Sequence, residues 1–597
     1  MVSVESGTDI PAVDFRARVF AGICLFLLAT LVFRLSPVDQ ASADPQYTVL
    51  LAETILSEGS LSMEHSFPPL TEPQRSMANP PAPSYQLLWR GGHLYYGYPP
   101  TTSFMIAPVV WVYNVADISA RGSDGMANQA GEARIQRDLA AVISALFVLL
   151  VFWFASRTLS LAKAAACGLI IAFGTMVFST TSRALWSDTS GIAAMMAAIL
   201  FATTEQRRLW IRAAGTGSML ALAVLFKSTF ITSLAVVMAW QMLRRRRDVI
   251  ATMAIGVAWA AAFVAIHYRL TGALLPFYYA RGSAMTLAVA TSTIPVHLFS
   301  PSRGLFITTP SFIWVAVVAL FAGRRFFDRR GIFAVSGIAA YLALYAFWPY
   351  WGGYCFGSRQ MCGALPFLAL CLVKAMEATP SAESPARSTF RWGSLAVLSI
   401  VGIFLNGRGA TAEDTWKWNR VHHTERYYTP DFWNWGRMQP LWGLQRPSLP
   451  LAIDPLPPNS VIQSSDTAPL YFGMGWTPPQ QDFRWTDRRE AYVVWRDARP
   501  GLKELVLNAF TFHPDADAGR FSMIADWNGN EVATFERDRF TDEDFIISVP
   551  GPDANGVCEL VLHFPKASSA MDLGLTTDGS ILGIGLRTIT VREMATK

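Results

Sequence analysis

Five charged side chains stand where apolar runs of this 597-residue chain end or pause: Asp44, Asp188, Lys227, Arg303 and Arg359. An ionisable group near membrane depth is costly, so each is read first as a site residue. A carboxylate so placed can take a proton from a hydroxyl as general base. A guanidinium or ammonium can neutralise the oxygens of a phosphate. Two acids on one cavity can also hold a divalent metal. Each residue has a plainer role beside the chemical one. Asp44 can cap the helix it precedes, and Asp188 the run that begins near Ser190. Lys227 can snorkel from a helix end, Arg303 can anchor at the interface, and Arg359 can be structural. Asp39 reads as a solvated loop residue.

The elements that must position these groups are apolar. Hydrophobic residues make up 52% of the chain and charged ones 16%, too apolar for a soluble protein of this size. Runs of membrane-spanning length recur through the first 405 residues. Eleven spans are expected near 18–36, 138–156, 164–181, 190–204, 213–226, 229–243, 249–266, 309–323, 332–347, 362–376 and 392–405. After the first comes "ADPQYTVLLAETILSEGSL" (43–61), in which Tyr47, Leu50, Leu51, Thr54 and Ile55 recur at helical spacing, with Glu53 and Ser57 opposite. That predicts a short amphipathic helix lying on the membrane surface and stopped by Gly59. "ASA" at 41–43 resembles a signal cleavage site, but Arg34 and the later spans favour a retained anchor.

The stretch 101–115 decides sidedness. If it only dips into the membrane, arginine and lysine clusters at 157–163, 207–212, 244–247, 324–330 and 374–391 all fall on the cytoplasmic side. It is short and follows "YGYPP", so the re-entrant reading is taken. The N-terminus then lies inside, the C-terminus outside, and the five charged residues share the outer face. The net charge of +5 belongs to those loop clusters and implies no nucleic-acid partner.

Six cysteines (24, 167, 355, 362, 371, 558) show no metal spacing, and a Cys355–Cys362 bridge stays open. His422 and His423 have no third ligand at sensible spacing. From about 406 the character changes: a tryptophan-rich linker to 464, then short alternating segments from 465 to 597. These are "AYVVW", "ELVLNAFTF", "FSMIADW", "CELVLHF" and "LRTITV", with Asn528-Gly529 marking a type I′ hairpin. The fold class is therefore an α-helical polytopic membrane domain of about 11 spans (1–405, its first outer loop 37–137) followed by an all-β sandwich.

Several segments resemble one superfamily. They are "DPQY…LLAETILSEGSL", "YGYPPTTSF", "LWSDTSG", "LAVLFKST", "SPSRGLF" and "WGGYCFGSRQMCGALPFLAL", in that order over residues 18–405. The resemblance is to GT-C membrane glycosyltransferases, which transfer sugars from polyprenyl-phosphate donors, with lipid A aminoarabinose and protein mannosyl transferases as more distant likenesses. Asp44 is followed by proline, so the Asp-Glu pair of protein O-mannosyltransferases is absent. The resemblance implies Asp44 as general base and an inverting single displacement. It implies Asp188 as second acid, or as metal ligand with Asp44 if a divalent metal is used, and Arg359, Lys227 and Arg303 as phosphate ligands. Tyr47, Tyr98, Trp186, Trp348 and Trp351 are candidates for sugar or acceptor, the last two equally for an interfacial belt.

The implied partners are membrane lipid, a lipid-linked sugar and a glycan, lipid or protein acceptor, with the chain a monomer in a bacterial inner membrane and its site on the periplasmic side. Residues 465–597 look like a carbohydrate-binding accessory module. Two other classes compete: a flippase for a lipid-linked saccharide, and a non-catalytic carbohydrate-binding membrane protein. The sugar, acceptor and prenyl length are not legible.

Overall fold

The computed structural model describes residues 15–597 except 71, 73–81, 206–207, 278–286, 348–354, 380–383, 422–432, 445–454, 458, 465–471, 473–475, 478–481, 487–489, 498, 513–520, 539–540, 554–555, 566–567, 570–580 and 595–597. The chain forms two units. One comprises Met1–Trp416 and Thr424–Leu441, the other Lys417–His423 and Trp442–Lys597.

The first unit is a helical bundle. Its helices are α1 (Phe15–Leu35), α2 (Thr48–Glu58), α3 (Thr101–Val115), α4 (Gln129–Ala155), α5 (Leu161–Phe173), α6 (Ser187–Thr203) and α7 (Leu209–Phe226), followed by α8 (Ile231–Arg244), α9 (Arg246–Thr271), α10 (Leu287–Phe299), α11 (Ser311–Ala322), α12 (Arg329–Ala346), α13 (Leu365–Ala378) and α14 (Pro385–Thr411). A helix stands at each of the eleven expected spans, and among the described residues six helical segments are long and apolar enough to cross a membrane. Helix α10, interrupted by Pro295, was not expected.

Side-chain caps from the preceding residue start α4 and α12. Asn128 accepts from the Gly131 amide at the head of α4, and Asp328 from the Arg330 and Gly331 amides at the head of α12. Gly191 lets α6 approach the turn before α8, since a Cβ there would lie 2.3 Å from the Phe230 ring. That approach brings the head of α6 beside Lys227.

Five helices run between the same two ends of the bundle. Near its start α4 carries Gln136, bonded to Pro45, and at its finish it leads to Arg157. Helix α6 runs from Asp188 to Thr203, α8 from just after Lys227 to Arg244, and α13 from just after Arg359 to Lys374. Helix α12 runs the other way, from Arg330 to Tyr345, whose ring lies 5.7 Å from the Lys227 ammonium. The arginine clusters thus sit at the end remote from Asp44.

Helix α3 begins and ends on α2. Ser103 at its start donates to the Thr48 carbonyl, and the turn after it returns the Ala120 amide to Glu53. At 15 residues it is about 22 Å long, short of a bilayer core. An unexpected hairpin, β1 (Leu87–Arg90) and β2 (His93–Tyr96), turns at Gly91-Gly92, both with positive φ.

Helix α2 forms where expected and ends at Gly59 in the left-handed region. It is not a half-exposed surface helix, however. Every residue from Thr48 to Thr54 is buried among α3, α4 and the hairpin. The supposed polar face survives burial because Glu53 accepts from the Ala120 amide at 2.8 Å and the Ser119 hydroxyl at 3.0 Å.

The second unit is a β-sandwich. One sheet orders β5 (Glu490–Arg496), β10 (Val557–His563), β7 (Phe521–Trp527) and β8 (Asn530–Arg537). The other orders β3 (Val461–Gln463), β11 (Ile584–Glu593), β6 (Lys503–Thr511) and β9 (Asp542–Val549), with β4 (Arg484–Trp485) also on β11. Alternate residues such as Leu505, Leu507, Trp495, Trp527, Leu560 and Ile589 fill the space between. Asn528 and Gly529 both take positive φ, as a type I′ turn requires. Two boundaries move: β3 lies in the expected linker, and α14 extends to Thr411.

Candidate active site

Asp44 lies between α1 and α2. Its carboxylate accepts from Arg359 at 2.6 Å, from the Tyr98 hydroxyl at 2.9 Å and from the Tyr85 hydroxyl at 3.2 Å. The side chain stays 31% exposed, so it is both held and reachable. It does not cap α2: that helix has no side-chain cap from the preceding turn. Burial alone would raise its carboxyl. The Arg359 charge and the bonds from Arg359, Tyr98 and Tyr85 outweigh burial and hold it below the usual carboxylate range. Burial and the Asp44 charge push the Tyr98 hydroxyl up, so it remains a donor.

The Arg359 guanidinium also lies over the Trp186 ring, 3.7 Å from its centre. Two residues on, Asp188 is fully buried in the first turn of α6 and receives both contacts of the Lys227 ammonium, at 2.8 and 2.9 Å. It caps nothing; its oxygens face the lysine rather than the helix amides. The two acid–base pairs are therefore neighbours. Each carboxylate is held by its own cation, and among the described residues no group of three His, Cys, Asp or Glu gathers. That donor set does not fit a metal bridging Asp44 and Asp188.

The residues holding this arrangement carried no signal in the sequence reading. Gln136 of α4 donates to the Pro45 carbonyl at 2.8 Å and accepts from the Leu185 amide at 3.1 Å. One side chain thus ties the Asp44 loop to the Asp188 loop. Glu132, one turn earlier, accepts from the Val49 and Leu50 amides at 2.9 and 2.7 Å and so caps α2 from another helix. Gln40 donates to the Ser179 carbonyl and accepts from the Trp186 indole at 3.2 Å. Buried Arg183 donates to the Phe33 and Ser36 carbonyls at the end of α1. Tyr96 adds a 2.6 Å bond to the Asp44 carbonyl.

Arg303 is buried behind Arg359. It donates to the Cys355 carbonyl at 2.6 Å and to the Gln439 side chain at 2.9 Å, and Gln439 in turn accepts from the Gly357 amide. It thus grips the turn that presents Arg359. Tyr47 packs edge-on against Phe67 at 5.3 Å in the first-loop core and is buried. Asp39 is 3.6 Å from Arg137 and accepts from the Ala41 amide, a held residue rather than a solvated one. Cys355 and Cys362 are buried and not bridged to one another. Trp348, Trp351, His422 and His423 lie outside the described residues.

No family model and no curated protein matches the sequence. Among solved structures the chain is similar to ArnT from Cupriavidus metallidurans in the apo state, at 12% identity over 68% of this chain and 79% of that one, with a TM-score of 0.43. It is similar to the apo oligosaccharyltransferase of Archaeoglobus fulgidus at 13% identity, covering 69% of this chain and 58% of that one, TM-score 0.37. The same organism's AglB, in complex with an inhibitory peptide and a dolichol-phosphate, matches at 11% identity over 70% and 59%, TM-score 0.38. The chain thus spans less than two thirds of the oligosaccharyltransferase.

Proposed function

We propose that this chain is a membrane glycosyltransferase that moves a sugar from a polyprenyl-phosphate donor to an acceptor hydroxyl. The observation carrying this reading is the reachable Asp44 carboxylate on Arg359, beside the Asp188–Lys227 pair. Asp44 takes the acceptor's proton as its oxygen attacks the anomeric carbon from the face opposite the phosphate. The carbon–oxygen bond to the phosphate breaks, the electron pair leaves with the phosphate, and the configuration inverts. Arg359 and Lys227 stabilise the departing phosphate. A donor phosphate that draws Arg359 toward itself also loosens its hold on Asp44, which raises the affinity of that carboxylate for the proton it must accept.

An apolar cavity of about 640 Å³ between α7, α8 and α9 suits the prenyl chain; Leu225 and Ile231, flanking Lys227 in sequence, line it. On this reading the eleven-span topology puts the arginine-rich end in the cytoplasm and Asp44 on the periplasmic side of a bacterial inner membrane. The sandwich serves as a carbohydrate-binding accessory. The test is Asp44→Asn in membranes supplied with polyprenyl-phosphate sugar. Turnover is expected to fall at least about 100-fold, the scale of a lost general base, with folding and insertion retained. A folded variant with parental turnover overturns the assignment.

A further inference from the structure

At the end of the bundle remote from Asp44 lies a polar cavity of about 400 Å³, walled by the finishing turns of α4, α6, α8 and α13 and the start of α12. It is well separated from the first site: Asp188 and Thr203 bracket α6, about 22 Å apart at helical rise. Its lining is unbalanced in charge. Arg157, Arg244, Arg245 and Arg330 face it, and none of them makes an ion pair among the described residues. Of the acids on its wall, Asp248 is held by both arms of Arg212, at 2.8 and 2.9 Å. Glu377 is 3.3 Å from Lys374, which also binds Asp328 at 2.7 Å. That leaves Glu205 against four guanidinium groups. Burial and the neighbouring Arg330 charge push Arg157 below its ordinary range.

Among the described residues, the same wall carries buried polar atoms with nothing to bond. Gln241 is 2% exposed, and both atoms of its amide lack a partner. The Trp240 indole N–H and the Thr158 hydroxyl are in the same condition. A buried amide left unmade costs about 1–3 kcal/mol, so the wall is shaped for an occupant. Water can satisfy the amide and the indole but not four positive charges. Guanidinium forks match tetrahedral phosphate oxygens two at a time, and the volume suits a small-molecule group larger than phosphate alone.

We propose that this cavity binds a phosphate-bearing group, held by Arg157 and Arg330 with Gln241 and Trp240 as hydrogen-bonding partners. The source is either an anionic phospholipid headgroup or a soluble phosphate compound. The experiment follows the thermal midpoint of the full-length, detergent-solubilised protein during titration. One arm adds phosphatidylglycerol, with phosphatidylcholine as comparison; the other adds inorganic phosphate. Saturable stabilisation by phosphatidylglycerol alone assigns the headgroup; saturable stabilisation by phosphate assigns the soluble source. In either case Arg157→Gln/Arg330→Gln should weaken binding at least tenfold, while Arg269→Gln, which removes a cation elsewhere, should not. Gln241→Leu should weaken binding and raise the midpoint of the empty protein. The proposal is overturned if no probe stabilises saturably, or if Gln241→Leu and the double arginine variant respond like the parent. Neither readout follows sugar transfer, so failure here leaves the proposed function standing.

Discussion

The Asp188–Lys227 pair permits a cycle that separates scaffold from chemistry. Lys227→Met leaves a carboxylate with no exposure and no cation, the case in which breaking a buried pair costs about 3–5 kcal/mol. Asp188→Asn is milder. The ammonium keeps an amide oxygen to donate to, its side chain is 14% exposed and the Tyr345 ring is near, so about 1–2 kcal/mol is expected. The double variant Asp188→Asn/Lys227→Met places a neutral pair of similar shape in the same space and should cost only about 1 kcal/mol, because the pair's desolvation penalty disappears with its attraction. The coupling energy is then about 3–6 kcal/mol, far above the additivity expected of independent sites. Detergent-induced unfolding in mixed micelles measures stability, and sugar transfer from a polyprenyl-phosphate donor measures turnover. Restored stability with turnover still abolished places both residues in the reaction. Parental turnover in the double variant refutes that role and makes the pair a scaffold. Effects that add within about 0.5 kcal/mol refute the buried pair itself.

Glu132→Gln presents an amide N–H where α2 needs an acceptor, so about 1–3 kcal/mol of stability should be lost; faster hydrogen exchange at the Val49 and Leu50 amides would locate the effect, and unchanged exchange there would refute the cap. The depressed Asp44 carboxyl remains ionised at neutral pH, and its charged form is lost only as pH falls below the ordinary aspartate value of about 3.9. Arg359→Gln removes the main cause of that depression, so the acid limb of kcat/KM should move upward; an unmoved limb in an active variant would separate Asp44 from the essential base.

Apolar runs and arginine clusters made the bundle legible, because span length and loop charge are local properties of a chain. Alternation and an Asn-Gly turn did the same for most of the sandwich; β8, with a mainly exposed face, and β9 left weaker patterns. Helix α10 escaped because Pro295 interrupts its run. The β1–β2 hairpin was within reach, since Gly91-Gly92 is a two-residue turn signal between short strands. Reading it would have brought Tyr96 and Tyr98 toward Asp44 together. The surface placement of α2 failed for a different reason. Periodicity reports that Glu53 faces away from the leucines, not that Ser119 and Ala120 wait there to receive it.

Pairing is what the chain hides. Arg359 reaches Asp44 across 315 positions, and Gln136 joins Pro45 to Leu185, so no local window contains either relation. The consequence is chemical as well as architectural. At the Asp44 end Asp44 and Asp188 each have their own cation, so on the proposed function an incoming phosphate competes with Asp44 for Arg359. At the opposite end four arginines line the cavity with no ion pair among the described residues, so the proposed phosphate would displace no carboxylate there. On the two proposals, the same residue types thus give one end that exchanges ion-pair partners with its ligand and one that takes a ligand without giving up an ion pair.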